Sequence, residues 1–257
     1  MKLISWNCNG LRSVLAKGVL QELVEAERPD VLLLQETRVQ VEPDGMDGFE
    51  GWHRAWNPAV RPGYSGTAVL SRLPIEDARV GAGRDRRDPE ARVLTVDLPG
   101  LTVVSAYGVN ARRDLSRLPE RVRFDAALTR HLRTRTRRRP VVLGGDLNVA
   151  PTEIDVTHPE NKKNHVCYHE DVRKAFWSLC SLGLVDVFRK HRPGEGEYSF
   201  WDYRVPNSLE RNIGWRIDHI LATAPLAERS IDSYADREPR AWEKPSDHTV
   251  VVAEFRL

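Results

Sequence analysis

The sequence predicts one α/β domain that contains more than one β-sheet. Short apolar runs, several of them rich in β-branched residues, alternate with longer polar or helical segments, as strands do when helices and loops connect them. These runs extend from the first residues to the last without a break in composition or a Gly/Ser-rich or Pro-rich linker. Because 257 residues can bury a substantial core, we expect residues 1–257 to form a single domain.

Eight segments are predicted as strands, because each is a short, mostly apolar run with β-branched or branched aliphatic residues. They are Lys2–Trp6, Val31–Gln35, Gly66–Leu70, Val93–Asp97, Thr102–Tyr107, Pro140–Gly144, Ile217–Ala222 and Thr249–Phe255. Helices are predicted for Leu11–Ala26, Pro119–Arg135 and His169–Leu182. The apolar face of the second helix is expected to consist of Val122, Phe124, Ala126, Leu128 and Leu132.

The composition excludes several classes of protein. Hydrophobic residues make up 40% and charged residues 30% of the chain, which is ordinary for a folded globular domain. No apolar run approaches the roughly 20 residues of a membrane span, and the first residues lack the apolar core of a secretory signal. The cysteines Cys8, Cys167 and Cys180 have no Cys-x-x-Cys spacing, so we expect buried thiols in a reducing cytoplasm and no disulfide framework or zinc site.

The charged residues leave nucleic-acid binding open. The net charge is only +2, yet 32 of the 39 basic residues are arginine, whose planar fork of donors suits phosphate. The nucleotide composition of the gene would produce the same excess. The basic run Arg133–Arg139 ends a predicted helix, where cations complement the helix dipole. We favour that structural role over a DNA track, because basic runs are weak motifs.

Polar side chains cluster at the ends of the predicted strands. Strand ends along one rim of a sheet are where α/β folds usually place a functional site. Carboxylates there are costly to desolvate unless they are paired or bound to a metal. Taken singly, each has an ordinary explanation, such as a Gly-Asp-x-Asn turn or an exposed Asp-His pair. The residues are Asn7, Asn9, Glu36, Tyr107, Asn110, Asp146, Asn148, Asp247 and His248.

The order of eight motifs along the chain resembles the exonuclease III family of AP (abasic-site) endonucleases, within the endonuclease/exonuclease/phosphatase superfamily. The motifs are Ser5–Arg12, Leu34–Thr37, Gly63–Gly66, Gly145–Ala150, Asn161–Asn164, Tyr198–Trp201, Gly214–Asp218 and Lys244–His248. The Asn-Lys-Lys-Asn, Phe-Trp and Trp-Arg-Ile-Asp segments narrow the resemblance to the DNA-repair branch. The resemblance implies a four-layer α/β (α+β) sandwich, in which two mixed β-sheets pack face to face with helices outside.

Two segments depart from the family pattern. Val109 stands where the family usually has Pro two residues after the strand-end Tyr107, and Ala91 stands where a Glu-Gly-Arg motif usually has Gly. Neither change removes a catalytic side chain. The first leaves open the path of the loop that carries Asn110 and Arg113.

Hydrolysis of a phosphodiester needs an in-line nucleophile and neutralisation of charge on the phosphoryl oxygens. A hard, oxygen-ligated cation such as Mg²⁺ supplies the neutralisation, and Mn²⁺ is expected to substitute for it. Glu36 is the first candidate for a direct ligand, with Asn7 beside it and Asp247 completing or orienting the shell, as the resemblance also implies. Asp146, Asn148 and His248 complete the metal set.

The same residues receive catalytic roles. Asp146 is the candidate to orient and deprotonate the attacking water, and Asn148 aims an amide donor at the developing charge. His248 donates to a phosphoryl oxygen if it is protonated and acts as a base if it is not. The resemblance implies that Asp218 orients the imidazole and that Tyr107 contacts the phosphate or assists the leaving group. Either Asp146 or the His248–Asp218 pair can be the general base, and we favour Asp146.

Substrate choice is assigned to aromatic and basic residues by resemblance. Phe200, Trp215 and Ile217 occupy the positions that line a pocket for a flipped, base-less deoxyribose; without the resemblance, the two aromatic residues would be read as core, as Trp201 is. Arg113 and Arg204 are placed to wedge into or brace the opened duplex. Contacts with the DNA backbone are assigned to Asn110, Asn161, Lys162, Lys163 and Asn164.

The sequence therefore predicts a Mg²⁺-dependent DNA repair phosphodiesterase that incises duplex DNA 5′ to abasic sites. Exonuclease action from 3′ to 5′ and cleaning of blocked 3′ ends are expected alongside. We expect a monomer without membrane contact, cytoplasmic and nucleoid-associated in a bacterial or archaeal-type cell. Two alternatives remain, a phosphomonoesterase or phosphoinositide-type phosphatase of the same superfamily and a non-catalytic module that binds abasic DNA.

Overall fold

Two six-stranded sheets form the centre of the computed structural model, which describes residues 1–83, 88–163, 165–242 and 246–256. The first sheet consists of β1 (Lys2–Asn7), β2 (Val31–Gln35), β3 (His53–Asn57), β4 (Thr67–Ser71), β11 (Ser230–Asp236) and β12 (Val250–Phe255), in the order β11-β12-β1-β2-β4-β3. The second consists of β5 (Asp77–Val80), β6 (Val93–Leu98), β7 (Leu101–Ala106), β8 (Val141–Asp146), β9 (Leu184–Asp186) and β10 (Asp218–Thr223), in the order β5-β6-β7-β8-β10-β9. Both sheets are mixed, because β1–β2 and β7–β8 are parallel and the other described pairs are antiparallel.

Helices pack against both sheets. They are α1 (Leu11–Ala16), α2 (Val19–Glu27), α3 (Leu118–Arg135), α4 (Glu170–Cys180), α5 (Val187–His191), α6 (Ala224–Glu228) and α7 (Glu238–Ala241). Short 3₁₀ turns occur at Asp47–Phe49, Glu153–Asp155 and Pro159–Asn161. Within the described ranges, no helix combines the length and the apolar character that crossing a membrane requires.

Successive residues of a strand point to opposite faces of its sheet, and this alternation builds the layers of the sandwich. Leu3 and Leu33 belong to a cluster that contains Val103 and Val142 of the other sheet, so the two sheets pack face to face. The alternate residues of the first sheet, such as Ile4, pack against α1 and α2. Outward residues of β7 and β8 likewise pack against α3 and α4. The predicted four-layer sandwich is confirmed.

All eight predicted strands are present, each with ends within two residues of the prediction. The four strands that the sequence did not reveal are β3, β5, β9 and β11, and these are the edge strands of the two sheets. Edge strands are short or partly exposed and lack a continuous apolar run, as the largely exposed β5 shows. The periodic signal is therefore strong only for the central strands.

Two helix predictions are wrong in detail. Leu11–Ala26 is not one continuous helix, because the chain turns at Gly18, whose φ of 71° is left-handed, between α1 and α2. On α3, Val122 is 43% exposed and Ala126 also faces solvent. Leu128 and Leu132 are buried as predicted and Phe124 is partly buried, but the other buried positions are taken by the ion pair of Arg121 and Asp125.

Candidate active site

The ends of the central strands meet at one rim of the sandwich. Asn7 ends β1 and Glu36 follows the parallel strand β2, so the two side chains leave the first sheet at the same edge. In the second sheet Asp146 ends β8, and Asp218 begins the antiparallel strand β10 directly opposite it. Because the sheets pack face to face, these two polar edges adjoin, and His248, two residues before β12, lies between them.

Asn7 connects the carboxylates of the two sheets. Its Nδ2 donates to Glu36 Oε1 and to Asp146 Oδ2, both at 2.9 Å, while its Oδ1 accepts from the backbone N–H of Asn9. The Tyr107 hydroxyl donates to the same Glu36 oxygen at 2.8 Å. Burial raises the pKa of Glu36, but these donors and the Arg38 guanidinium outweigh it and hold that pKa below its ordinary value. Glu36 is therefore an ionised carboxylate at the wall of the site.

His248 is paired with a fully buried aspartate. Its Nδ1 lies 2.8 Å from Asp218 Oδ2, and its Nε2 lies 3.7 Å from Asp146 Oδ2. Ser199 Oγ donates to the same Asp218 oxygen at 2.6 Å. Burial lowers the pKa of His248, but the charges of Asp218 and Asp146 raise it by more than burial lowers it, so that the pKa is about 10. The imidazole is thus held in its charged form.

The segment after β8 turns sharply to present Asp146 and Asn148. The backbone N–H of Asn148 donates to Asp146 Oδ1 at 2.9 Å, and Asn148 has a left-handed φ of 48°. Gly145 permits the approach to β7, since a Cβ there would lie 1.8 Å from the Ala106 carbonyl oxygen. Buried Arg121 of α3 donates to the backbone carbonyls of two residues of this turn, Leu147 and Asn148. Burial raises the pKa of Asp146, to about 7.

A cleft of about 390 Å³ opens beside these residues. Its walls contain twelve of the predicted site residues: Glu36, Tyr107, Asn110, Arg113, Asp146, Asn148, Phe200, Arg204, Trp215, Ile217, Asp247 and His248. Asn7 and Asp218 are fully buried beneath them. A larger groove of about 1350 Å³ between β5 and α3 contains none of the predicted site residues, so the smaller cleft is the candidate site.

The donor set of the cleft fits an oxygen-preferring cation. Glu36, Asp146 and Asp247 line one cleft, and hard divalent cations prefer carboxylate oxygens. Ligand atoms of Asp146, Asp218 and His248 also lie within 4.8 Å of one another. Asp218 Oδ2 is already occupied by Ser199 and His248, so the carboxylates that face the cleft are the better ligands. The side-chain nitrogen of Asn7 donates to Glu36, and its side-chain oxygen accepts from the backbone N–H of Asn9, so this oxygen points away from the carboxylates.

The apolar wall lies opposite the carboxylates. Phe200 and Trp215 exchange backbone hydrogen bonds of 2.9 Å, and the Phe200 ring lies 4.9 Å from the His248 ring. Trp201 is fully buried outside the lining, as expected for a core residue.

A buried ionic network holds the segment that carries Trp215 and Ile217. Arg216, which lies between them, donates to Asp155 at 2.6 Å and to Asp186 at 2.8 Å. It also donates to Nδ1 of buried His219, whose Nε2 lies 2.8 Å from the Val149 carbonyl next to Asn148. The network therefore ties the apolar wall to the turn after β8.

The predicted DNA contacts divide into two groups. Asn110 donates to Asn148 at 3.2 Å, so the loop with Val109 in place of Pro still reaches the site. Arg113 is 73% exposed at the rim, and the Arg204 side chain is held by three hydrogen bonds to Asp202. Lys162 lies over the Trp215 ring, whereas Asn161 and Lys163 are exposed and absent from the described lining of the cleft. Asn164, like Lys244 and Pro245 of the last motif, lies outside the described residues.

Several residues of the cleft were not predicted. Arg112, His165, Val166, Cys167 and Asp202 line it, and Arg38 pairs with Glu36 at 2.6 Å just outside. Burial raises the pKa of the Cys167 thiol to about 12, so it stays protonated and is not a nucleophile. None of these residues stands at a strand end, where polar side chains were sought; His165 and Cys167 directly follow the Asn-Lys-Lys-Asn motif.

A carboxylate cluster with a buried Asp–His pair, set at the joined rims of two packed mixed sheets, defines a hydrolase with a metal-assisted type of site. The sequence profile of the Endonuclease/Exonuclease/phosphatase family matches residues 4–248, and the chain belongs to this family. The predicted resemblance to its exonuclease III branch is confirmed by the relatives.

Three similar proteins illustrate that branch. An exodeoxyribonuclease of Bacillus subtilis is 40% identical over 236 residues, which cover 91% of this chain and 92% of that protein. An AP endonuclease from Archaeoglobus fulgidus has a solved structure that matches with a TM-score of 0.92 at 37% identity, over 100% of both chains. A 3′ phosphatase from Neisseria, solved with a product DNA hairpin, matches with a TM-score of 0.92 at 34% identity, also over 100% of both chains.

Proposed function

We propose that this protein is a Mg²⁺-dependent DNA repair phosphodiesterase that incises duplex DNA 5′ to abasic sites. The observation that carries the proposal is one cleft in which a carboxylate–histidine cluster faces an apolar wall of Phe200, Trp215 and Ile217. The cluster suits phosphodiester hydrolysis, and an apolar wall of this kind accepts a sugar that has lost its base. Exonuclease action and 3′-end cleaning belong to the proposal, since the relatives include an exodeoxyribonuclease and a 3′ phosphatase.

Glu36 is the proposed principal metal ligand, supported by Asp146 and Asp247, with Asn7 positioning Glu36 and Asp146 through its amide. When bound there, Mg²⁺, or Mn²⁺ in its place, neutralises charge on the phosphoryl oxygens. The Tyr107 hydroxyl, 2.8 Å from Glu36, is placed to donate to the phosphate or to the departing oxygen.

The general base follows from the charge state of His248. A protonated imidazole has no lone pair to accept a proton, so in this proposal it donates to a phosphoryl oxygen. Asp146, whose carboxylate lines the cleft beside His248, then takes the proton of the attacking water. The Asn148 amide lies within 3.2 Å of Asp146 and is the proposed donor to the developing negative charge.

The proposed partner is double-stranded DNA with an abasic site or a 3′ end. Arg113, Arg204 and Lys162 stand at or beside the cleft, where cations meet the phosphate backbone. We further propose that residues 1–257 act as one catalytic domain and as a monomer. A chromosomal substrate places this activity with the nucleoid of a bacterial or archaeal-type cell.

The test is incubation with a labelled duplex that carries one central abasic site, with Mg²⁺ or with a chelator. We expect one incision 5′ to the site with metal and none with chelator, and product lengths report exonuclease action at the same time. Faster hydrolysis of a soluble inositol phosphate would replace the proposal with a phosphatase. Tight binding of the abasic duplex without cleavage would replace it with a non-catalytic binding module.

A further inference from the structure

The loop that follows β7 and the turn that follows β8 approach each other closely. A Cβ on Gly108 of the loop would lie 2.5 Å from the carbonyl oxygen of Leu147 in the turn. The loop carries Asn110 and the turn carries Asn148, and their side chains meet, because Asn110 Nδ2 donates to Asn148 Oδ1 at 3.2 Å. The position of the Asn148 amide therefore depends on how the two segments are held together.

One guanidinium joins the loop and the turn. Arg121 of α3 donates from Nη1 to the carbonyl of Val109 in the loop at 3.0 Å and to that of Asn148 at 3.2 Å. Its Nη2 donates to the carbonyl of Leu147 at 2.7 Å. Among the described residues, no other donor reaches these three carbonyls, which all belong to buried residues. Because a buried carbonyl without a donor is destabilising, both segments depend on Arg121.

Asp125, one helical turn further along α3, fixes the orientation of this guanidinium. Arg121 Nε donates to Asp125 Oδ2 at 2.7 Å, and both side chains are buried. This contact leaves the two terminal nitrogens of the guanidinium for the carbonyls. A lysine side chain ends in a single nitrogen, so it cannot reproduce the planar fork of donors that spans both segments.

The side chain that these bonds place is an amide of the cleft. Asn148 has a left-handed φ of 48°, which residues other than glycine rarely adopt, so its surroundings must hold it there. Its Nδ2 lies 3.2 Å from Asp146 Oδ2. Arg121 is not among the described residues that line the cleft, so any effect on the reaction passes through the residues that it holds.

We infer that Arg121 is a positioning residue, which aims the Asn148 amide by holding the loop and the turn together. This inference rests on the proposed function, in which Asn148 donates to the negative charge that develops during the reaction. That charge is absent from the bound substrate. A misaimed amide therefore slows the chemical step and leaves binding of DNA unchanged.

Arg121→Lys keeps the positive charge beside Asp125 and removes the fork of donors. The rate constant for single-turnover incision of an abasic duplex should fall about 10- to 100-fold, because small displacements of a catalytic group have effects of this order. The Kd for the same duplex should stay within about 3-fold of the wild type. Both are measured at a temperature at which circular dichroism shows the variant to be fully folded.

A double-mutant cycle with Asn148→Ala tests whether Arg121 acts through that amide. If it does, Arg121→Lys should slow the Asn148→Ala protein by less than about 2-fold, because the group that Arg121 aims is already absent. A merely structural role predicts the same loss whether or not the Asn148 side chain is present.

Arg139→Lys is the matched control. Arg139 donates to the carbonyls of Leu98 and Leu101 at the turn between β6 and β7, away from the cleft, so this replacement should leave the rate of incision unchanged. If Arg121→Lys does not fold, the double variant Arg121→Met/Asp125→Leu removes the ion pair without leaving an unpaired buried charge. The same loss, and the same dependence on Asn148, are expected of it.

A rate for Arg121→Lys within about 3-fold of the wild type would overturn the inference. Equal losses with and without the Asn148 side chain would overturn it too, and so would a loss that lies in the Kd alone. A wild-type protein that does not incise the abasic duplex would instead refute the proposed function, so the two failures are distinguishable.

Discussion

Replacing Asp218 with asparagine removes the charge beneath His248 while nearly conserving shape. The pKa of His248 is about 10 against an ordinary 6.5, a preference for the charged form of about 5 kcal/mol. Burial opposes this preference for the charged form. Asp218 stabilises the imidazolium more than Asp146 does, because Asp218 Oδ2 lies 2.8 Å from a ring nitrogen of His248, whereas Asp146 Oδ2 lies 3.7 Å from the other. Asp218→Asn should therefore lower the pKa of His248 by several units and leave a neutral ring at pH 7.5. Loss of a positioned proton donor predicts a kcat about 10²- to 10⁴-fold lower.

The assay is single-turnover incision of an abasic duplex between pH 5.5 and 9 with saturating Mg²⁺. Because activity requires the charged imidazole, the activity that remains in Asp218→Asn should rise as the pH falls, until Asp146 is protonated. Binding of the duplex should not change, since Asp218 is fully buried. Ser199→Ala removes a neutral hydrogen bond to the same oxygen, together with the acceptor of the Ile217 and Asp218 backbone N–H groups, and should cost about 10-fold or less. A kcat for Asp218→Asn within 3-fold of the wild type, with an unaltered pH profile, would refute the reasoning.

Three further predictions concern stability and charge. Arg216→Met removes one of the two arginines that pair with buried Asp155, the other being Arg189, and the arginine that pairs with partly buried Asp186. It should lower the free energy of unfolding in urea by about 3–5 kcal/mol, and a loss below about 1 kcal/mol would contradict the role of the network. Burial, aided by the charge of Arg216, lowers the pKa of His219 to about 4, so the unfolded chain binds an extra proton between pH 6.5 and 4. As the pH is lowered through that window, protonation of His219 in the unfolded chain should lower the free energy of unfolding by about 3 kcal/mol. His219→Gln should make the free energy of unfolding less dependent on pH, and equal pH slopes for the variant and the wild type would contradict this prediction. Replacing exposed Arg137 and Arg138 with Ala should leave the salt dependence of DNA binding unchanged, and a slope smaller by about 2 would show phosphate contacts.

The last of these predictions follows from the position of the basic run. Arg139 donates to the carbonyls of Leu98 and Leu101, at the turn between β6 and β7. That turn lies beside the start of β8, whereas Asp146 stands at its end. Arg139 thus has a structural contact away from the cleft, and the helix-end role of the run stays a prediction.

The sequence was sufficient for the central strands and the ends that they present. The central strands β2, β7 and β8 are buried on both faces, so each is a mostly apolar run, and a polar residue of the cleft ends or directly follows it. Edge strands, exposed on one side, carry no such signal. The break at Gly18 was also missed, because a single glycine is tolerated within a helical pattern.

The candidate site was predictable where a side chain leaves a strand end, and less so elsewhere. Asp146 and His248 come together because two sheets pack face to face, which the resemblance implied but strand patterns alone do not. Buried charges such as Arg121 and Arg216 gave no signal, because a basic residue amid apolar ones is ordinarily exposed. His165 owes its position to a loop without regular structure, and no periodic pattern places such a residue.

We propose that Asp146, at the end of β8, accepts the proton of the attacking water. Asp146→Asn keeps the size of the side chain and removes its basicity, and Asn148 can still donate to the remaining oxygen. Binding of an abasic duplex and the rate of its incision should be measured together for this variant and the wild type. The account predicts an unchanged Kd and a rate at least about 10³-fold lower. Incision at the wild-type rate would contradict it.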